Sequence, residues 1–332
     1  MLVLSHDDVL AALPPEECAA AMAEVLAAQA RGETYMPLRT VAKPPRAAGF
    51  MGLMPAWRGN ADGAPSVFSL KSLCIIPANP SRGIDAHQGL VTLFDGDTGI
   101  PLAVLDASAV TAVRTAAVSA VATAALARHD ARVLAILGGS VQAKSHVNAL
   151  LRVRSFDEVR VYAPTHDHAR AVIASIERPP GNPTLIAEAA ASALQAVHGA
   201  DVVVTATSSR TPVLELDWLA PGMHINAVGA STPAARELTP ETVAASALFP
   251  DSRESLANEA GEFQEAVKLG LIGSEHVRAE LGEVLAGLKP GRHDDGEITL
   301  FRSLGLAVED LAAAQHAVRA AAELGLGTEV HL

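Results

Sequence analysis

The sequence predicts a two-domain α/β protein: a mostly antiparallel sheet domain, then a doubly wound parallel sheet, then a C-terminal helix that returns to the first domain. Length is the first observation behind this. At 332 residues the chain is too long for one ordinary core, and two domains follow. The second is the texture between Met36 and Leu105. Short alternating runs such as RTVAK, GFMGLMPAW, FSLKSLCII, GLVTLFD and PLAVLDA are broken there by Gly, Pro and Asn. The third is the change after Asp130, where strand-like runs begin to alternate with helical ones, the order of a parallel sheet with crossover helices.

Composition supports burial on that scale. Apolar residues make up 49% and charged ones 19%, while aromatics are only 3%, so the cores are packed from small aliphatic side chains. The net charge of −12, with no basic block, argues against nucleic acid and anionic membrane as partners. Two cysteines, Cys18 and Cys74, make no disulfide framework, which points to a reduced, cytoplasmic setting. The opening MLVLSHDDVL has neither the basic n-region nor the apolar h-region of an export signal. Residues 107–127 are long and apolar enough to suggest a membrane span, but Arg114 and many Thr, Ser and Ala residues fit a buried helix better.

Taken in order, Ser5 ahead of Asp7 and Asp8 reads as an N-cap, and Pro14-Pro15-Glu16-Glu17 starts a second helix that runs to Ala30 and stops at Gly32. Residues 95–99 turn a hairpin inside the sheet region. Residues 109–128 form a long small-residue helix, and the lack of a Gly/Pro/Ser linker at 128 suggests a helical joint between domains. Strands are expected at 132–137, 158–163, 184–187, 201–207, 224–228 and 247–250, with helices at 141–151, 166–177 and 191–198. From Ser252 onward the chain reads as helical with charged faces, through GEFQEAVKLGLI and RAELGEVLAGL. A polar loop at 290–298 and a last helix over about 306–324 complete it.

Residues 130–151, DARVLAILGGSVQAKSHVNALL, are the stretch around which the rest is arranged. A buried strand, a glycine turn and a helix in succession set bare backbone N–H groups and a positive helix end where a pyrophosphate binds. The dinucleotide pattern asks for glycine first and third, and glycine or alanine sixth. Gly138 and Ala143 fit, whereas Ser140 stands in the second glycine's place. A βα turn with no ligand explains the run equally well, so these residues alone leave both readings open.

Arg114 is the most informative charge of the first part, because it interrupts the otherwise small and apolar VTAVRTAAVSAVATAALA. A buried guanidinium needs an anionic partner. On the residues alone, a salt bridge within the fold is favoured over a fork for a ligand carboxylate. Lys71, in SVFSLKSLCII, reads as an outward residue of a half-exposed strand, and Arg39 as a solvated charge at a strand start. Three cations around one sheet make an anion site only if the fold gathers them. His87, in the glycine-rich RGIDAHQG, reads as part of a surface loop. No metal-spaced cluster, GxSxG or paired-carboxylate motif is present, and no metal is expected.

The chain resembles the ornithine cyclodeaminase/mu-crystallin family over nearly its whole length. The resemblance rests on PLRTV at 37–41, LMPAW at 53–57, the Lys71 strand, AHQ at 86–88 and TAVRTAAVSAVAT at 111–123. It continues through LGGSVQAKSH at 137–146, PGMHINAVGASTPAAREL at 221–238, ELGEVLAG at 280–287 and EITLFRSLGLAVEDLAAA at 297–314. The motifs are closest to mu-crystallin-type ketimine reductases. The resemblance implies a split α+β substrate-binding and dimerisation domain, residues 1–116 with 304–332, around a Rossmann-type dinucleotide-binding domain, residues 117–303. It implies NAD or NADP as cofactor, hydride chemistry at the α-carbon of amino acids or their imines, and a homodimer.

By the same resemblance Arg39, Lys71 and Arg114 hold a substrate carboxylate, which reverses the salt-bridge preference for Arg114, and His87 lies beside them. Gly138, Gly139, Ser140, Val141, Gln142, Thr165, His166, Thr207, Val228 and Gly229 are the implied cofactor contacts. Cyclodeaminases and related alanine dehydrogenases carry an aspartate after INAVG, where this chain has Ser231, as mu-crystallin-type ketimine reductases do. Deamination needs a group that accepts a proton from the ammonium, and serine without a base is poor at that. Ser231 therefore favours reduction of an imino acid such as Δ1-piperideine-2-carboxylate or Δ1-pyrroline-2-carboxylate to the L-amino acid. Lys71 is then the nearest proton relay, and Ser231 orients the imine nitrogen or the nicotinamide. Glu259, in NEAGE, matches an acidic position of the family with a structural or loop-positioning part. Two alternatives stand beside this reading: an ornithine cyclodeaminase or amino-acid dehydrogenase, and a mu-crystallin-like binder of small ligands with little turnover, toward which Ser140 leans. Ala163-Pro164-Thr165-His166 shows neither the arginine of NADP users nor the acid of NAD users at the second strand's end, so the cofactor choice stays open.

Overall fold

The computed structural model describes residues 1–59, 65–178 and 182–331. In order the elements are β1 (Leu2–Leu4), α1 (His6–Ala12), α2 (Pro15–Ala30), β2 (Thr34–Tyr35), β3 (Thr40–Ala42), β4 (Phe50–Arg58), β5 (Val67–Ile75), β6 (His87–Asp95), β7 (Pro101–Asp106) and α3 (Ala107–Leu126). Next come β8 (Val133–Leu137), α4 (Val141–Leu150), β9 (Glu158–Tyr162), α5 (His166–Ala174), β10 (Ile186–Ala189), α6 (Ala193–Val197), β11 (Val202–Thr205) and β12 (His224–Ala227). The chain ends with α7 (Pro240–Ala244), β13 (Ala247–Pro250), α8 (Arg253–Glu259), α9 (Gly261–Lys268), α10 (Leu281–Leu285), β14 (Thr299–Arg302), α11 (Ala307–Leu324) and β15 (Thr328–Glu329). Two compact units result: residues 1–114 with 306–332, and residues 115–305. The division falls inside α3.

The first unit is built on an eight-stranded sheet of order β15-β1-β7-β6-β5-β4-β2, with β3 on β4. All its pairs are antiparallel except β1 with β7. Strand period 2 sorts the side chains into two faces. Met54, Ala56, Val67, Val91, Leu93, Ala103 and Leu105 are buried on the face that α11 covers, while Met51, Phe68, Leu90 and Leu102 are exposed on the other. The helices start where their caps dictate. Ser5 and Asp8 form a reciprocal capping box at α1, and Pro15 opens α2 at a position whose N–H is not needed. Helix α11 stops at Gly325, which takes the left-handed cap conformation at φ 68°.

The second unit is a seven-stranded, wholly parallel sheet of order β10-β9-β8-β11-β12-β14-β13. Helices cover both faces, and the central strands alternate between two cores. Leu134 and Ile136 of β8 pack with α4, α5 and the later part of α3, while Ala135 and Leu137 pack with α6, β12 and the 213–219 segment. Burial on both sides explains the unbroken apolar runs. Chain order reverses between β8 and β11, which makes their carboxyl ends the switch point of the sheet.

Several expectations are corrected. The region after Ser252 is not wholly helical: β14 sits between β12 and β13, and the helices at α9 and α10 are short. Two further strands, β1 and β15, pair near the chain ends. The helix expected over 166–177 stops at Ala174, and the strand expected over 201–207 stops at Thr205. Helix α3 is the one described helix long and apolar enough to cross a membrane, and 78% of its most hydrophobic window is buried inside the protein. Cys18 is buried, Cys74 half-buried, and both are free thiols.

Candidate functional site

Lys71 is not an outward residue. On β5 it shares the inward register with Ser69 and Leu73, pairs across to Met54 and Val91, and is 3% exposed. Its Nζ donates to Thr111 Oγ1 at 2.6 Å on α3 and to Asp310 Oδ1 at 3.0 Å in the first turn of α11. Arg114, one turn along α3 from Thr111, donates from Nε to the same Asp310 oxygen at 2.9 Å and from Nη1 to Glu309 Oε2 at 2.9 Å. The salt bridge that the residues alone favoured for Arg114 is therefore present. Acidic residues in the first turn also suit the positive end of α11.

Electrostatics ties the cluster together. Burial lowers the Lys71 pKa to about 8, against the pull of Asp310, with Arg114 and then Arg39 adding to the fall. For Asp310 burial pushes upward, but Arg114 and Lys71 together hold its carboxyl below the ordinary value of 3.8. Arg39 is half-buried just ahead of β3 and its charge acts on Lys71, whose own charge acts on His87. His87 opens β6 rather than lying in a loop, is exposed, and has Asp85 as a neighbour at 3.7 Å. The fold thus brings Lys71 and Arg114 together on one shared carboxylate, with the Arg39 charge in reach of Lys71. An ammonium carries three donors, and two of Lys71's are engaged among the described residues, which leaves a third.

The ten residues expected at the cofactor lie at the carboxyl edge of the second sheet. Gly138 has φ 150°, and a Cβ there would meet Ala206 O at 2.4 Å, so the turn after β8 requires glycine. At Gly139 a Cβ would meet the His168 and Ala163 Cβ atoms at 2.6 and 3.0 Å. Ser140 departs from the dinucleotide pattern without strain: it is the N-cap of α4 at φ −96°, exposed, and its side chain makes no capping bond. Val141 is exposed beside it and Gln142 half-buried. A backbone cradle that excludes side chains, in front of a helix end left uncapped, fits the diphosphate of a dinucleotide. Thr165 and His166 are exposed at the β9–α5 junction, and Thr207, Val228 and Gly229 follow β11 and β12. Ser231 is half-buried three residues beyond Val228.

Four buried charges escape sequence reasoning. Asp310 and Glu309, in GLAVEDLAAA, look like the solvated end of a helix but are 1% and 0% exposed. Glu237 is fully buried after β12, and Arg302 is fully buried at the end of β14, in an ion pair with Glu262 at 2.5 Å. A charge inside an apolar run is the one available signal, and Arg302 in TLFRSLGL carries it. Glu259 is buried at the end of α8. Among the described residues no group of three or more His, Cys, Asp or Glu side chains is arranged to hold a metal ion.

The family model described as the ornithine cyclodeaminase/mu-crystallin family matches residues 1–323. The chain is 38% identical over 284 residues to the ketimine reductase mu-crystallin of Mus musculus, covering 86% of this chain and 84% of that protein. The Δ1-pyrroline-2-carboxylate reductase of Thermococcus litoralis, solved with NADH and L-proline, superposes with a TM-score of 0.90 at 35% identity over 99% of this chain and 100% of that one. An archaeal alanine dehydrogenase, solved as a dimer with bound NAD, gives a TM-score of 0.90 at 33% identity over 100% and 99%.

Proposed function

The chain belongs to the ornithine cyclodeaminase/mu-crystallin family, and from that premise we propose that it reduces cyclic imino acids to L-amino acids with NADH or NADPH. At the coarser level it is an NAD(P)-dependent oxidoreductase acting on CH–NH bonds, of the imine reductase and amino-acid dehydrogenase kind. The observation that carries the finer reading is the buried cation cluster on β5 and α3. Asp310 and Glu309 fix Lys71 and Arg114 in one buried network, and the Arg39 charge acts on Lys71, so the three cations that the resemblance assigns to a carboxylate share one electrostatic neighbourhood. The third Lys71 N–H is a donor already aimed by two fixed bonds, which lowers the ordering cost of binding.

When bound, the nicotinamide supplies the hydride. Gly138, Gly139 and the α4 end would hold its diphosphate, with Thr165, His166, Thr207, Val228 and Gly229 along the same edge. Lys71 and Arg114 hold the carboxylate and thereby orient the C=N bond beside it. Reduction adds hydride to carbon and a proton to nitrogen. Lys71 Nζ keeps an exchangeable proton up to about pH 8 and is placed beside the carboxylate to give it. Ser231 supplies a hydroxyl where cyclodeamination would need a base, which favours reduction. We further propose that the protein works as a homodimer in the cytoplasm, where its two free thiols stay reduced.

A panel of Δ1-piperideine-2-carboxylate, Δ1-pyrroline-2-carboxylate and α-keto acid plus amine pairs, each with NADH and with NADPH, tests this by loss of nicotinamide absorbance. Turnover of a cyclic imino acid is expected. Proline and ammonia formed from L-ornithine with NAD⁺, and no imine consumed, would overturn it in favour of the cyclodeaminase. Binding of both ligands without turnover of any imine would overturn it in favour of a small-ligand binder.

A further inference from the structure

Glu237 is fully buried and spends both of its oxygens on the strand ends of the cofactor edge. Oε1 accepts from the Thr207 backbone N–H and hydroxyl, each at 2.7 Å. Oε2 accepts from Thr205 Oγ1 at 2.9 Å and from the Gly229 N–H at 2.6 Å. One carboxylate therefore joins the segment leaving β11 to the segment leaving β12. The fit leaves no slack: a Cβ at Gly229 would lie 2.1 Å from Thr207 O and 2.6 Å from Glu237 Oε1. Arg302 in turn donates to the carbonyls of Ala227, at 3.0 Å, and of Ala230. The 227–230 segment is thus gripped at an amide by an anion and at its carbonyls by a cation. Burial holds the Glu237 pKa above its usual 4.5, although the Thr207 and Gly229 bonds and the Arg302 charge oppose it.

In a doubly wound sheet the two nucleotide halves lie on opposite sides of the switch point, and the ribose next to the adenine meets the end of the second strand, here β9. That leaves the β11 and β12 ends for the nicotinamide half. We infer that Glu237 is the positioning residue of that half-site, fixing the Thr207 and Gly229 segments as one rigid ledge before the nicotinamide nucleotide arrives. This rests on the cofactor reading above. Glutamine cannot replace it, since its amide nitrogen would turn two donors toward the donors already there.

The test compares NADH with ADP-ribose, which carries the adenosine half and the diphosphate but no nicotinamide, by titration calorimetry. In Glu237→Gln the affinity for NADH is expected to fall by about tenfold or more while that for ADP-ribose stays within about twofold. Thr205→Val, a buried change that reaches the edge through Glu237, is expected to give a smaller loss in the same direction, and it decides the matter should Glu237→Gln fail to fold. Parallel losses for both ligands, or no loss for NADH, would overturn the assignment to a merely structural carboxylate. A wild-type protein that binds neither ligand would instead overturn the cofactor reading on which it stands.

Discussion

Lys71 and Arg114 share one carboxylate oxygen, Asp310 Oδ1, at 3.0 and 2.9 Å, and this shared atom decides how each responds to substitution. Arg114→Lys keeps the charge but loses the planar fork. It is expected to fold and to lower kcat/KM for the imine by about a hundredfold, mainly through KM. Arg114→Ala leaves Asp310 and Glu309 short of a partner in a dry site, and a further loss of about 3–5 kcal/mol in urea unfolding is expected. Retention of wild-type kcat/KM by either variant would remove the carboxylate anchor. The same atoms set the pH response. With the Lys71 pKa near 8, kcat/KM is expected to decline above about pH 8, and Lys71→Gln should lower the activity strongly and leave its residual rate without that limb. For stability the signs differ. Lys71 has a folded pKa below its unfolded value, so its contribution improves as pH rises from about 8 toward 10.5. Asp310 is held below 3.8, so its contribution is complete above that value and is lost as pH falls from there through the lower folded pKa, which thermal melts in acid will show. None of this is legible in FSLKSLCII. Val67, Ser69, Lys71 and Leu73 face inward while Phe68, Leu70, Ser72 and Cys74 face outward, and the outward set is the more apolar, so period 2 points the buried face the wrong way.

The strand–turn–helix from β8 to α4 is the element whose sequence speaks most plainly, because most constraints on it are local. An apolar run must be a buried strand, and a glycine must follow where φ turns positive and the chain passes Ala206 O. Gly138→Ala forces a Cβ into that carbonyl at 2.4 Å and strains the backbone. A loss of about 1–3 kcal/mol together with loss of NADH binding is expected, read by thermal melting and fluorescence titration. Unaltered NADH affinity in that variant would move the diphosphate away from this turn. Strand β14 shows the opposite case. Its four residues, TLFR, are all buried, and Arg302 inside that apolar run signals a buried charge without naming its partner. Only tertiary structure supplies the Glu262 partner and the Ala227 and Ala230 carbonyls that make the charge tolerable there. Its place between β12 and β13 is equally hidden, since no local pattern reports the order in which strands assemble.

At the scale of the whole molecule, the outer face of the eight-stranded sheet poses the remaining physical question. Phe68 is 47% exposed, Leu90 50%, Met51 41% and Leu102 39%, and they stand on adjacent strands of one face, with Leu70 and Trp57 half-buried among them. Isolated exposed apolar residues are ordinary, but a contiguous apolar sheet face signals a partner surface. The net charge of −12 does not explain it, because charge keeps copies apart without covering apolar area. Two-fold pairing does, since one self-complementary patch can serve both copies. Light scattering is therefore expected to give twice the 34.2 kDa mass of the chain. Phe68→Glu with Leu90→Glu places like charges across such a contact and should shift the mass to that of one chain. Both positions lie in the first unit, whereas Gly138, Thr207 and Gly229 lie in the second, so NADH affinity should survive the change. A double variant that keeps the larger mass would locate the contact on another surface, and a wild-type protein of single-chain mass would leave this face to a different partner.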